Sequence, residues 1–251
     1  MTDLPLPTLA FAAVVVTLAY TVYGLTGFGA ALVGLPVLAH LFPLRFAVPL
    51  VLVFDLCAGV LLGLKNRQHV DRRELLRLAP FILVGMAVGV TLLVRAPERW
   101  LLLALGLFVL AYSLWSLFGK AATSPVSTRW AVPAGVVGGG FTALYGTGGP
   151  IYTLYLARRI ADKTALRATI AMLIFAAGLL RLALFTGTGL YEQTGLLRLA
   201  LVLLPFALLG YFIGSRLHAR LPGRRAVQAV WVVLIAGGAS LVWRAASLPT
   251  Q

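Results

Sequence analysis

Charge is what this 251-residue chain has least of. Only 11% of its residues are charged and 61% are hydrophobic, where a soluble domain carries about 25% charged residues. The mean hydropathy is +0.97. So little polar surface cannot cover a water-soluble globule, which excludes a cytosolic enzyme, and so apolar a chain is not intrinsically disordered. Acidic residues are scarcer still: 7 Asp plus Glu stand against 21 Lys plus Arg, a formal net charge of +14. No soluble basic domain exists to hold that excess, so it reads as positive charge at membrane ends and not as a nucleic-acid footprint. The single cysteine, Cys57, excludes a disulfide framework and a multi-cysteine metal site. It lies in an apolar run and is expected to be a buried structural thiol. His40, His69 and His218 fall at span ends or in loops without metal-ligand spacing. No Ser-His-Asp or Cys-His set is readable, and the glycine runs lack the Lys-Ser/Thr ending of a P-loop. No enzymatic activity, metal or cofactor is expected. The N-terminus, Met1-Thr2-Asp3-Leu4-Pro5, lacks the basic region that opens a cleaved signal peptide.

What the chain has instead is apolar runs. Six have the length of one membrane crossing, roughly 20 residues: about 46–64, 75–94, 100–118, 168–185, 196–215 and 226–243. Two more, about 8–41 and 130–157, are too long for one helix and too short for two full ones. Each carries a glycine-rich interruption: Tyr23-Gly24-Leu25-Thr26-Gly27-Phe28-Gly29 in the first and Tyr145-Gly146-Thr147-Gly148-Gly149-Pro150 in the second. Clustered glycines break helices because they favour non-helical backbone. The polar segment 120–129 divides the chain into a first membrane repeat, 1–119, and a second, 130–251, which together make one transport domain.

The halves match in order. At an offset of 122 residues Tyr23-Gly24 falls on Tyr145-Gly146, Gly27 on Gly149, and Leu44-Arg45 on Leu166-Arg167. At 125 residues Pro80-Phe81 falls on Pro205-Phe206, Gly85 on Gly210 and Gly89 on Gly214. Lys and Arg near span ends favour the cytoplasm. If each broken stretch enters the membrane and returns to the same side, fifteen Lys and Arg lie on one face and five on the other, with Arg181 inside a span. If each crosses fully, the bias vanishes. The hairpin arrangement gives three crossings plus one broken hairpin per repeat. That odd number inverts the second repeat and puts both termini on the non-cytoplasmic side. The expected fold class is therefore all-α: a polytopic membrane protein with two inverted repeats, as in many secondary transporters.

Non-helical backbone at membrane depth is tolerated only where protein or a water-filled cavity surrounds it. A helix restarting there presents unpaired N–H groups and partial positive charge, a setting for an anion. Pro150 suits the first turn of such a half-helix. The candidate substrate-binding residues are Tyr23, Gly24, Thr26 and Gly27 in the first break and Tyr145, Gly146, Thr147, Gly148, Gly149 and Pro150 in the second. The competing reading is close packing of helices through small residues, which is also the reading of Gly138-Gly139-Gly140.

Two ionisable residues lie inside spans, Asp55 and Arg181. Each costs roughly 2.5–3.5 kcal/mol at a helix centre, so each should face inward with a partner. The repeat offset places Asp55 and Arg181 on comparable faces of related helices. They form an ion pair, or Arg181 binds a substrate anion while Asp55 carries a coupling proton; the bland alternative for Arg181 is snorkelling to the interface. Trp100, Trp115, Trp130 and Trp243 sit near span ends as interfacial anchors.

The Gly-rich breaks, each continuing to a Pro-Phe-x-x-x-Gly-x-x-x-Gly helix (Pro80–Gly89 and Pro205–Gly214), resemble the sulfite exporter TauE/SafE family over nearly the whole chain. Gly138–Pro150 resembles the family's second glycine-rich region, and Gly27-Phe28-Gly29 followed by Pro36 the first. Ala30 and Ala31 stand where glycines are usual, and Pro150 replaces the last glycine of the second motif. The resemblance implies a multi-pass protein of the bacterial inner membrane that exports a small anion such as sulfite or an organosulfonate. The expected mechanism is alternating access, with an anion channel using the same breaks as the alternative. Expected partners are the small anion, membrane lipids and, as a further option, a second copy of the chain.

Overall fold

The computed structural model describes residues 5–26, 29–63, 68–118, 124–218 and 224–247. All regular structure among the described residues is helical. The elements are α1 (Leu6–Thr26), α2 (Ala30–Leu41), α3 (Leu44–Gly63), α4 (Arg72–Arg95), α5 (Glu98–Phe118), α6 (Ala131–Tyr145), α7 (Gly149–Leu156), α8 (Lys163–Gly187), α9 (Leu196–His218) and α10 (Arg224–Ser247). A 3-10 turn, Thr128–Trp130, leads into α6. Lipid offers a backbone no hydrogen-bond partner, so each apolar run closes its bonds on itself as a helix. The six single-crossing runs become α3, α4, α5, α8, α9 and α10. Among the described residues α1, α4, α5, α8 and α9 are each long and apolar enough to cross a membrane.

The two long apolar runs are both broken, but unequally. In the second, α6 ends on Gly146 at φ 72, where the Gly146 N–H donates to the Thr142 carbonyl at 2.8 Å. The chain restarts as α7 with Pro150 in its first turn. In the first, α1 stays helical through Thr26, so the expected break at Tyr23-Gly24 begins later. Gly27, Phe28 and the side chain of Thr26 lie outside the described residues, and α2 starts after Gly29 at φ 97. Gly24 does not break its helix because it has a packing role: a Cβ there would meet backbone atoms of Tyr211, Gly214 and Ser215 on α9.

That contact recurs along two helix pairs. α1 runs beside α9 and α4 beside α6, while α5 packs on α10 and α3 on α8. Gly210 faces the Thr17 backbone and Gly214 the Thr21 backbone, so α1 and α9 run parallel. Gly85 faces Val136 and Gly89 faces Gly140, so α4 and α6 run parallel too. At these positions a Cβ would land on main-chain or side-chain atoms of the neighbour. Without a hydrophobic drive inside lipid, such close approach is what gives helix pairs their van der Waals attraction. Gly138 and Gly139 are packing positions of the same kind, against the Tyr152 ring and the Ile82 backbone.

Polar contacts tie the helix ends into two groups. At one end the Leu44 N–H donates to Glu98 Oε1 at 3.2 Å, Arg45 donates to the Leu93 and Ala96 carbonyls, and Gln193 donates to the Arg45 carbonyl at 2.8 Å. At the other end Glu74 is 5% exposed. It accepts from Arg159, from the Tyr155 hydroxyl at 2.9 Å and from Arg77. Arg159 also donates to the Val126 carbonyl, and the Asp71 N–H to Thr169 Oγ1. The α3–α4, α5–α6 and α7–α8 connections therefore share one end, and the α2–α3, α4–α5 and α8–α9 connections the other. Since α1 runs parallel to α9, the α1–α2 pair returns to the end it left. The α6–α7 pair does the same at the opposite end.

Trp100, Trp115, Trp130 and Trp243 are all exposed near helix ends, as anchors should be. Cys57 is half-buried and not the buried thiol expected of its apolar run. A close helix contact has no room for a side chain, so Gly139→Val should lower stability by about 1–3 kcal/mol. Thermal unfolding in detergent measures it, and an unchanged midpoint would show that α4 and α6 tolerate separation there.

Candidate anion site

The starts of α2 and α7 meet in the interior. One cleft is lined by Tyr23, Asp55, Gly146, Gly148, Gly149, Gly178 and Arg181. A contiguous space is lined by Gly29, Ala30, Ala31 and Leu32 at the start of α2 and by Gly146, Thr147, Gly149 and Pro150 at the start of α7. Two helix N-termini from different halves of the chain thus face one region. Neither has a side-chain cap: the N-cap residues are Gly29 and Gly148. The first cleft has a cavity volume of about 30 Å³, which is room enough for ordered water.

Arg181 of α8 is 3% exposed. Its Nη1 lies 3.9 Å from Asp55 Oδ2, too far for a hydrogen bond. Among the described residues its Nε and Nη2 have no hydrogen-bond partner, and neither does the buried hydroxyl of Thr147. The guanidinium lies over the Phe185 ring at 5.3 Å. It also abuts the second break: a Cβ at Gly146 would sit 3.0 Å from Nη1. The other oxygen of Asp55 accepts from the Tyr20 hydroxyl at 2.7 Å, and that hydroxyl also lies 3.1 Å from the Val51 carbonyl. Asp55 keeps 18% of its side-chain surface open to the cleft.

The sequence placed Tyr23, Asp55, Gly146, Thr147, Gly148, Gly149, Pro150 and Arg181 together, and all eight line this region. Two candidates do not. Gly24 packs on α9. Tyr145 is fully buried and donates to the Leu101 carbonyl of α5 at 2.8 Å, pointing away from the cleft. Its repeat-mate Tyr23 is therefore no guide to its role. Gly27 lies outside the described residues. Arg181 does not snorkel to the interface, because α8 turns it inward against Asp55.

With this geometry in view, the likeness to known proteins can be placed. A profile of the sulfite exporter TauE/SafE family matches residues 12–241. The chain belongs to the TauE/SafE family. It is a membrane transporter of that type. It is 29% identical over 199 residues to a "Probable inner membrane transporter protein TsaS" of Comamonas testosteroni, covering 78% of this chain and 83% of that protein. No solved structure matches.

In this transporter the Asp55–Arg181 contact is a poor stability device. Two unit charges about 4 Å apart attract by about 4 kcal/mol at an effective dielectric near 20. Burying each ion costs several kcal/mol. The attraction does not offset that cost, and among the described residues two buried guanidinium nitrogens and a hydroxyl are left with capacity to spare. Such an arrangement fits a site that another acceptor completes.

The residues that sequence reading missed are Tyr20, Thr142 and Tyr152. Tyr20 lies three residues before Tyr23 on one face of α1, a spacing that makes them neighbours. Thr142 pairs with the Tyr152 hydroxyl at 2.9 Å and bonds the Gly138 carbonyl, bracing the second break from behind.

Removing one ion of a buried pair leaves the other uncompensated. Asp55→Ala should therefore cost about 3–5 kcal/mol, and adding Arg181→Met should recover most of it. Thermal unfolding of both variants distinguishes this from a pair of independent, neutral side chains, which would give additive losses.

Proposed function

We propose that the chain exports a small anion, sulfite or an organosulfonate, across the bacterial inner membrane by alternating access. The anion binds between the starts of α2 and α7 and is held by Arg181, with Thr147 and the Tyr23 phenol as further donors. The observation that carries this reading is the buried guanidinium whose Nε and Nη2 lack acceptors among the described residues, beside two uncapped helix N-termini. A planar fork of donors suits the oxygens of a sulfur oxyanion, and helix N-termini favour negative charge. Family membership supports the substrate class, and the relative named as an inner membrane transporter supports the membrane; the geometry supports an anion.

The two halves are read as inverted repeats. Support comes from reciprocal packing: the first helix of each half lies parallel to the fourth helix of the other, while the third and fifth helices pair with their own counterparts. In inverted-repeat transporters the substrate lies at the repeat interface near the midplane, and one bundle rocks against the other. On this reading both chain ends face away from the cytoplasm, and the Glu74–Arg159–Tyr155 network lies on the cytoplasmic side. The small cavity favours a carrier over an open pore.

Gly148 is a packing position, since a Cβ there would collide with Thr142 and Tyr152, so its enlargement would test folding more than binding. Arg181→Gln tests the site directly. It should weaken sulfite binding to the purified protein by roughly 10- to 100-fold, the worth of charge-assisted hydrogen bonds, and abolish sulfite flux in proteoliposomes. Undiminished binding by folded Arg181→Gln protein would remove the anion from this place.

A further inference from the structure

Resting on that reading of the site, we infer that anion binding is linked to protonation of Asp55, so that the transporter carries a proton together with its anion.

The argument is one of charge balance in a confined space. Without substrate the region holds one cation, Arg181, and one carboxylate, Asp55, with 3.9 Å between them. The charged groups are thus matched one to one. The other titratable groups that face them are phenols. Tyr20 and Tyr23 come from α1, Tyr152 from α7, Tyr211 from α9 and reaches Asp55 through Tyr23, and Tyr191 from the segment after α8. From α2 the facing residues are Gly29, Ala30, Ala31 and Leu32, which carry no charge. Among the described residues no second cation faces the cleft.

An arriving anion then puts at least two negative charges against one guanidinium. In an interior of low dielectric the surplus is costly, and the least costly remedy is neutralisation of the carboxyl. Asp55 takes up one proton, its carboxylate becoming a carboxyl group, and the proton returns to solvent when the anion leaves. The geometry allows this. Asp55 is not hydrogen-bonded to Arg181, so the guanidinium can turn its open Nε and Nη2 to the substrate without breaking a bidentate pair. The carboxyl keeps part of its surface on the cleft, where water can deliver the proton. Tyr20 bonds Oδ1 and holds the carboxyl in place in either state, since its hydroxyl has the Val51 carbonyl as a second acceptor.

By reciprocity the proton and the anion favour each other's binding. For a dianion such as sulfite, one accompanying proton leaves a single net negative charge, which an inside-negative potential still drives outward.

The test is a proton count per anion bound, by titration calorimetry at neutral pH in two buffers of different ionisation heat. Methanesulfonate holds its charge through this range, so its binding to the wild type reports the protein alone. Uptake approaching one proton per methanesulfonate is expected, and binding without uptake overturns the proposal. Asp55→Asn should show no uptake per anion bound, and Asp55→Glu should restore it; uptake that persists in Asp55→Asn also overturns the proposal. If Asp55→Asn does not fold, the wild-type count decides. Failure of the wild type to bind either methanesulfonate or sulfite overturns the anion site itself, and this inference with it.

Discussion

Backbone polar groups cannot be left unpaired in hydrocarbon, and most of this structure follows from that constraint. It turns every apolar run into a helix. It also dictates where a helix can stop. The second interruption is tolerated because protein covers it: Gly146 lies against Ala31 and Arg181. The starts of α2 and α7 line one interior space, and uncapped helix starts of this kind favour negative charge. The same constraint explains why glycine has two uses here. At Gly146 and Gly29 it permits a left-handed backbone. At Gly24, Gly85, Gly210 and Gly214 it keeps a regular helix and allows a neighbouring backbone to approach.

The site joins elements far apart in sequence. Asp55 comes from α3, Arg181 from α8, Tyr20 from α1 and the two helix starts from α2 and α7. No single element could supply both the charge and the broken backbone, since a helix that carries Arg181 inward must itself be continuous. The pairing of α1 with α9 and α4 with α6 interlocks the halves, so the site forms between them. At the far end of α7, Glu74 binds Arg159 and Tyr155. The short helix whose start lines the cleft is thereby anchored at its other end to α4.

Part of the site was legible because membrane interiors penalise charge. An aspartate and an arginine in otherwise apolar runs must have a reason to be there, and the repeat offset put them on comparable faces. Glycine clusters repeated in both halves pointed to the breaks for a similar reason. Tyr145 and Tyr23 are equivalent in the repeat but differ in their surroundings. The Tyr145 phenol instead satisfies the Leu101 carbonyl. Tyr20 was overlooked because a phenol in an apolar helix carries no signal until its partner is known. Gly24 was misassigned because sequence cannot tell a glycine that breaks a helix from one that admits a neighbour.

The sequence by itself determined the membrane setting, the helical class, the number of long runs and the identity of the two charges that lie within spans. These follow from composition and from the length of a bilayer crossing, which are local properties. Only the tertiary structure decided that Asp55 and Arg181 stand 3.9 Å apart without a hydrogen bond, that Tyr20 holds the aspartate, and that among the described residues the arginine has donors without a partner beside both helix starts. Those facts depend on how five separate helices pack, and packing at glycine-lined contacts is set by the fit of surfaces that no stretch of sequence displays alone.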